Sequence, residues 1–258
     1  MIKLKSPEEI ELMRAAGRIT AGARALAGSM AVAGVKTKEI NSAVHGYIVS
    51  RGAVPAFLDY GGFPASVCIS INEEVIHGIP GDRELKDGDI VSVDVGAVKG
   101  GYIGDCADTF IVGRASPEAV KLVEVTRQCF FEAMRCARVG FRVSDISEAV
   151  QKHAEANGFS LVRDFVGHGV GTQLHESPQI PNYVETPRKG PDPRLLRGMT
   201  LAIEPMVNAG GRGVTTRKDG WTVVTRDGSL SAHYENTVLI TDGEPEILTV
   251  TGDTRHEA

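Results

Sequence analysis

Four carboxylates in this sequence sit inside apolar stretches that otherwise read as buried strands. Asp94 lies in Ile90-Val-Ser-Val-Asp-Val-Gly96 and Asp105 in Tyr102-Ile-Gly-Asp-Cys-Ala-Asp-Thr-Phe-Ile-Val112. Glu204 lies in Leu201-Ala-Ile-Glu-Pro-Met-Val207 and Glu235 in Ala232-His-Tyr-Glu-Asn-Thr-Val-Leu-Ile240. A buried carboxylate without a partner is either costly or driven neutral by a raised pKa. One such acid is ordinarily explained by a salt bridge or by a strand edge facing water. Four are not, because the same strands offer no evident Lys or Arg partner. Two divalent cations would balance the four in formal charge, and the chemistry such a pair supports is hydrolysis by an activated water.

The strand pattern says how the acids meet. Val91, Val93 and Val95 share one face, and Asp94 shares the other with Ser92. A turn at Lys99-Gly100-Gly101 returns the chain, so the spacing predicts a hairpin with Asp94 and Asp105 nearly opposite each other. Like charges across a ladder repel, and something positive should lie between them. Asp108 is a rival to Asp105, but alternation puts it on the other face. Glu235 is expected on the return strand of a second hairpin, turning at Asp227-Gly228.

Gly167-His168-Gly169-Val-Gly171 surrounds one imidazole with glycines, which permits close backbone approach to a ligand. Its glycine spacing lacks the full dinucleotide fingerprint. One His among oxygen ligands suits Mn, Fe, Co or Zn. The HExxH and CxxC patterns are absent, which excludes the usual single-zinc proteases and zinc fingers. His77 and His175 are ordinary core or surface histidines by default; beside a metal centre they would hydrogen-bond substrate. His45, His153, His233 and His256 have no such context and read as surface or incidental.

The elements that must hold these groups are arranged twice over. Ser6-Pro7-Glu8-Glu9 starts a helix running to about Met30, and a second is expected from about Lys38 to Ser50 behind an N-cap at Thr37, ending at Gly52. Ser116-Pro117-Glu118 opens a similar long helix. Gly34, Ile40, Ala43, Val44 and Gly52 then match Gly140, Ile146, Ala149, Val150 and Gly158 at one constant offset. The strand ending at Asp94 resembles the one ending at Glu204, and His77-Gly-Ile-Pro80 is echoed by His175-Glu-Ser-Pro178. The reading is one α/β (α+β) domain over residues 1–258, with halves of about 6–112 and 116–240 related by a pseudo-twofold axis near Asp94 and Glu204. Asn182 to Gly198 reads as an exposed loop, and the C-terminal TGDTRHEA as a mobile end.

The whole chain of 258 residues with net charge −5 argues against a nucleic-acid partner. It shows no signal peptide and no membrane-spanning run. Cys68, Cys106, Cys129 and Cys136 have no paired spacing and read as reduced thiols of a cytoplasmic protein.

The runs VCISINEEVIHGIP, VDVG…GDCADTF, GHGVGTQLHESP, LAIEPMVNAG and DGWTVVTRDGSLSAHYENT, in that order, resemble type I methionine aminopeptidases of the short bacterial form. The resemblance covers nearly the whole chain. It implies the pita-bread fold and two divalent metal ions (Co, Mn, Fe or Zn) on Asp94, Asp105, His168, Glu204 and Glu235. It further implies Glu204 as general base, with Asp94 beside the substrate's α-amino group. His175 would contact the scissile peptide and His77 would stabilise the tetrahedral intermediate. Tyr60, Phe63, Cys68, His77 and Trp221 would line a methionine pocket. Phe57 stands where some relatives have Cys and would narrow it; Asn236 stands where many have His. Backbone oxygens near Asn72, Glu74 and Ser231 would hold a monovalent cation. The implied substrates are nascent polypeptide N-termini, met at the ribosome by a monomer with no membrane or nucleic-acid role. An X-Pro aminopeptidase or dipeptidase, or a non-catalytic binding protein of the same fold, are the alternatives.

Overall fold

In the computed structural model, which describes residues 2–185, 187 and 190–251, the first helix, α1 (Pro7–Met30), starts at Ser6. The Ser6 hydroxyl accepts from Glu9 N–H (3.3 Å), and the Glu9 carboxylate accepts from Ser6 N–H (2.7 Å). This capping box satisfies two donors that the helix leaves open. The second helix, α2 (Thr37–Ser50), begins one residue earlier than its sequence suggested, with Lys36 at the cap. Thr37 is unavailable as a cap because its hydroxyl is engaged with both Gly81 N–H (2.8 Å) and Gly81 O (3.1 Å).

The chain continues through β1 (Val54–Pro55), β2 (Val67–Ile71), β3 (Glu74–Ile76), β4 (Ile90–Lys99) and β5 (Tyr102–Ile111). A second helix pair follows, α3 (Pro117–Met134) and α4 (Val143–Ala156). Then come β6 (Ser160–Leu161), β7 (Gly167–Gly169), β8 (Glu176–Ile180), β9 (Thr200–Ile203), β10 (Met206–Asn208), β11 (Val214–Thr216), β12 (Val223–Thr225), β13 (Ser231–His233), β14 (Glu235–Leu239) and β15 (Glu246–Ile247).

One nine-stranded sheet runs β1-β4-β5-β14-β9-β7-β8, with β2 also on β4 and β15 on β14; two three-stranded sheets, β13-β10-β6 and β11-β12-β3, flank it. All strand pairings among the described residues are antiparallel. One core lies between α1, α2 and the valine face of β4: Ala23, Ala27, Ile40, Val44, Val91, Val93 and Val95. Another, the largest of the four clusters among the described residues, lies between α3, α4 and the strands around Leu201, Ile203 and Val207.

Two details of the sequence reading change. Lys99 pairs with Tyr102 around Gly100-Gly101, which sets Asp94 against Ala107 and Asp105 against Gly96. The two acids are therefore diagonal on one face, one pair apart, and not opposite. The segment from Ser231 to Leu239 is also not the return arm of a hairpin turning at Asp227-Gly228. β12 pairs with β11 and β3, whereas β13 pairs with β10 and β14 with β9 and β5. The Asp227 carboxylate is drawn to Gly211 N–H (2.6 Å) and Ser229 (2.6 and 3.0 Å), which turns the chain without a ladder behind it.

The described residues between Asn182 and Gly198 form no helix or strand, as expected, but they are not uniformly exposed. Asn182 and Leu195 are buried, and the Asp192 side chain accepts from Ser144 at the start of α4 (3.0 Å). The C-terminal TGDTRHEA lies, apart from its first residue, outside the described residues.

α1 rests directly on β5. A side chain at Gly104 would come within 2.8 Å of the Gly17 backbone, and Thr20 donates to Gly104 O at 3.1 Å. That closeness gives a paired prediction for urea unfolding. Gly104→Ala should destabilise by about 1–3 kcal/mol, because backbone would have to move. Gly46→Ala, on the exposed side of α2 with nothing within 4 Å, should stabilise by about 0.5–1 kcal/mol. Equal midpoints for Gly104→Ala and the parent protein would contradict this seating of α1.

Candidate metal centre and its cavity

The register of the large sheet lays the predicted ligands out in two adjacent transverse rows. In the first, Asp94 on β4 pairs with Ala107 on β5, and Ala107 with Glu235 on β14. β9 and β14 pair as far as Ile203↔Asn236, and their continuations β10 and β13 resume at Met206↔His233 without a change of register. Glu204 thus falls opposite Glu235 at the corner where the ribbon leaves one sheet for the other. Tyr234 N–H donates to Pro205 O there (3.2 Å). In the second row Gly96 pairs with Asp105, whose backbone N–H and O both bond the Thr237 hydroxyl (3.0 and 2.9 Å). Thr237 pairs with Ala202, and Ala202 with His168 on β7. Gly96, Ala107 and Ala202 keep both rows open where larger residues would fill them.

The five predicted ligands therefore converge. Asp105, His168 and Glu235 each offer a ligand atom within 4.8 Å of the others. His168 Nε2 is 3.4 Å from Glu204 Oε1 and 3.9 Å from Asp105 Oδ2. His168 Nδ1 is 2.9 Å from Gly169 O, a contact that makes Nδ1 the donor and leaves Nε2 free to ligate. Burial pushes the Asp94 carboxyl up to about 7. Burial first, then the neighbouring carboxylates, push Asp105, Glu204 and Glu235 well above the usual carboxylate range. Asp94 Oδ1, Asp105 Oδ1 and Glu235 Oε1 are buried without a hydrogen-bond partner among the described residues. Oxygen donors left unsatisfied beside one imidazole fit divalent cations of the Mn, Fe, Co or Zn type.

The rows floor a cavity of about 160 Å³. Phe57, Tyr60, Phe63, Cys68, His77, His175 and Trp221, all predicted to contact substrate, line it. So do Ile76, Phe165, Val166 and Leu174, which sequence reasoning missed. Phe165 and Val166 lie on an irregular stretch before β7 that carries no periodicity; the one available signal was their nearness to His168. Phe57 reaches the floor because Gly96 has no side chain, and a Cβ there would stand 2.6 Å from the Phe57 ring. Phe63 and Trp221 meet edge to face at 5.2 Å.

His77 holds a left-handed backbone (φ 58°) and packs edge-on to Phe165 at 5.7 Å. Burial lowers its pKa to about 4, so it is neutral near pH 7. His175, whose pKa burial also lowers, stands at the mouth, 2.8 Å from the Tyr60 hydroxyl through Nδ1. Its loop is anchored by Glu176, which accepts from Lys5 (2.7 Å) and from Thr172 N–H (3.0 Å).

Asn72 and Ser231 also come together, through Ser231 N–H to Asn72 O at 2.8 Å. The Glu74 carboxylate is taken by Arg83 (3.0 Å) and Arg217 (2.6 Å), which leaves only main-chain oxygen for a cation at that residue. Of the histidines read as incidental, His45 bonds Ser66 (2.9 Å) away from the site, and His256 lies outside the described residues. His233 is a correction. It is buried, with Nε2 3.9 Å from Glu204 Oε2 and 4.0 Å from Glu235 Oε2. Its place two residues before Glu235 was the signal, and it was hidden because the strand changes sheet between them.

Comparison with known proteins agrees with this geometry. Residues 11–242 match the model of metallopeptidase family M24. A methionine aminopeptidase of Clostridium acetobutylicum is 51% identical over 97% of this chain and 99% of its own. The crystal structure of a Thermotoga maritima methionine aminopeptidase superposes with a TM-score of 0.93 at 46% identity, covering 96% of this chain and 99% of that one. A prolidase from Pyrococcus furiosus, 24% identical with a TM-score of 0.77, shares the fold over 66% of its length. The architecture is the pita-bread fold, and the chain belongs to metallopeptidase family M24, within its methionine aminopeptidases.

Proposed function

We propose that this metallopeptidase removes the initiator methionine from newly made proteins, with two divalent ions held by Asp94, Asp105, His168, Glu204 and Glu235. The observation that carries the reading is the set of orphaned carboxylate oxygens on the floor of a small apolar cavity. When bound, such ions neutralise the carboxylates, polarise a carbonyl and acidify water. Glu204 faces the cavity and takes the proton of the attacking water, later delivering it to the leaving amine. Asp94 offers its carboxylate to the free α-amino group, which restricts cleavage to the chain terminus.

His77 and His175 are neutral and act as hydrogen-bond donors. With the Tyr60 hydroxyl donating to His175 Nδ1, the His175 hydrogen sits on Nε2, directed to the scissile peptide. His77 serves the oxyanion. Phe57, Phe63, Cys68 and Trp221 enclose the methionine side chain. The matched repeats support two halves of one domain: Leu85 N–H bonds Val35 O and Leu195 N–H bonds Phe141 O, each at 2.9 Å, at corresponding places. Main-chain oxygens of Asn72, Glu74 and Ser231 are the proposed seat of a monovalent cation.

Two variants test the reading. Glu204→Gln should lower kcat on Met-Ala-Ser by about 10²–10⁴-fold while keeping a cooperative unfolding transition; near-normal turnover, or faster cleavage of X-Pro peptides by the parent protein, would overturn it. Phe57→Ala should widen the pocket and raise the Leu-Ala-Ser to Met-Ala-Ser rate ratio by about tenfold. An unchanged ratio would remove Phe57 from the pocket's selectivity.

A further inference from the structure

Among the described residues, the buried polar atoms without a partner concentrate at one place. Asp94 Oδ1, Asp105 Oδ1 and Glu235 Oε1 are joined there by a nitrogen, His233 Nε2. The three oxygens belong to the proposed ion ligands. The nitrogen belongs to a residue that no role yet described accounts for.

His233 is 2% exposed, and it does not line the cavity that Asp94, Asp105, His168, Glu204 and Glu235 line. It stands behind the glutamates, in the row next to theirs. Its backbone N–H and O are both held by the Thr109 hydroxyl (3.0 and 2.8 Å), and Thr109 is backed by Ser92 Oγ at 2.8 Å. Nε2 points at Glu204 Oε2 (3.9 Å) and Glu235 Oε2 (4.0 Å), while His168 addresses the other oxygen of Glu204 at 3.4 Å. Glu204 is thereby set between two imidazoles, one facing the cavity and one behind.

We propose that His233 is a positioning residue: its Nε2–H donates to the rear oxygen of Glu204 and fixes the rotamer of that carboxylate. The inference rests on the reading of Glu204 as general base. Both nearby groups are carboxylates, which can only accept when ionised, so the hydrogen belongs on Nε2. Nε2 lies about 1 Å beyond hydrogen-bond distance, a gap that a small rotation of the Glu204 side chain closes. Groups that orient ligands from behind in this way typically change metal affinity or activity by about 10–100-fold when removed. The position behind the glutamates, outside the cavity, assigns the ring to orientation and not to ligation.

The test compares His233→Gln, whose amide keeps a donor at similar reach, with His233→Phe, which removes it. Manganese affinity is read by calorimetry, and kcat and KM on Met-Ala-Ser are read at saturating manganese. Donation predicts that His233→Phe loses about 10–100-fold in kcat or in metal affinity with KM little changed, and that His233→Gln recovers most of the loss. Parent-like affinity and kcat for His233→Phe would overturn the proposal. So would His233→Gln as impaired as His233→Phe together with loss of a nitrogen ligand from the visible spectrum of the cobalt form, since His233 would then be a ligand. A parent protein that binds no manganese would instead overturn the two-ion reading beneath it.

Discussion

Repulsion among Asp94, Asp105, Glu204 and Glu235 is the constraint on which the rest of the structure depends. Their register places them in two neighbouring rows on one sheet face, where Asp105 and Glu235 are buried and Asp94 and Glu204 nearly so. A fold can carry such a cluster only if something positive joins it and if the backbone beneath cannot relax away. The second condition explains much of the architecture. α1 is seated on β5 at Gly17 and Gly104 with no side chain between. Thr237 ties Asp105 to β14 through both backbone groups, and Arg24 reaches from α1 to Glu235 O (3.2 Å) and Asn236 Oδ1 (3.0 Å). The charge cluster is thus built on a part of the sheet that is tethered from both sides.

Chemistry and selectivity are divided between two kinds of residue. The rows supply oxygen and nitrogen donors from regular strands, whose spacing varies little, and at Glu204 from the corner between two of them. The cavity wall comes largely from irregular segments, including the turn around Tyr60 and the stretch of Phe165 and Val166. Elements of that kind can change shape without disturbing the register. Phe57 links the two, because it occupies space that Gly96 leaves over the second row. A change at either position alters pocket and floor together.

How much was legible in the sequence follows from the range of the interactions involved. Asp94 and Asp105 were found because a two-residue glycine turn sets register locally; their diagonal offset was missed by a single pair. Glu204 and Glu235 were recognised as misplaced acids, but their partnership was not visible. It depends on a ribbon that bends from one sheet into another at Pro205 and Tyr234, with strand neighbours separated by about thirty residues. His233 was misjudged for the same reason. Alternation puts it on the face of Glu235, one row further on, but its approach to Glu204 depends on the neighbouring ribbon and could not be read from its own strand. Thr37 lost its place as a cap because Gly81, far along the chain, competes for its hydroxyl. The glycine turn at Gly100-Gly101 survived translation into structure, whereas the hairpin expected at Asp227-Gly228 gave way to pairing with distant strands.

The central claim is that cations make this carboxylate cluster tolerable, and the stability of the metal-free protein tests it most directly. Asp105, Glu204 and Glu235 have folded-state pKa values raised well above their ordinary ones, and Asp94 titrates near 7. A raised acid contributes stability that is full below its unfolded pKa and is lost as pH rises through the folded one, at about 1.4 kcal/mol per proton per pH unit. Between pH 7 and pH 8.5, His77, His168 and His233 are already neutral and do not contribute. Chelator-treated protein should therefore have a lower urea midpoint at pH 8.5 than at pH 7, and saturating manganese should raise both midpoints and erase the difference. A metal-free protein equally stable at the two pH values, with no response to manganese, would contradict the account.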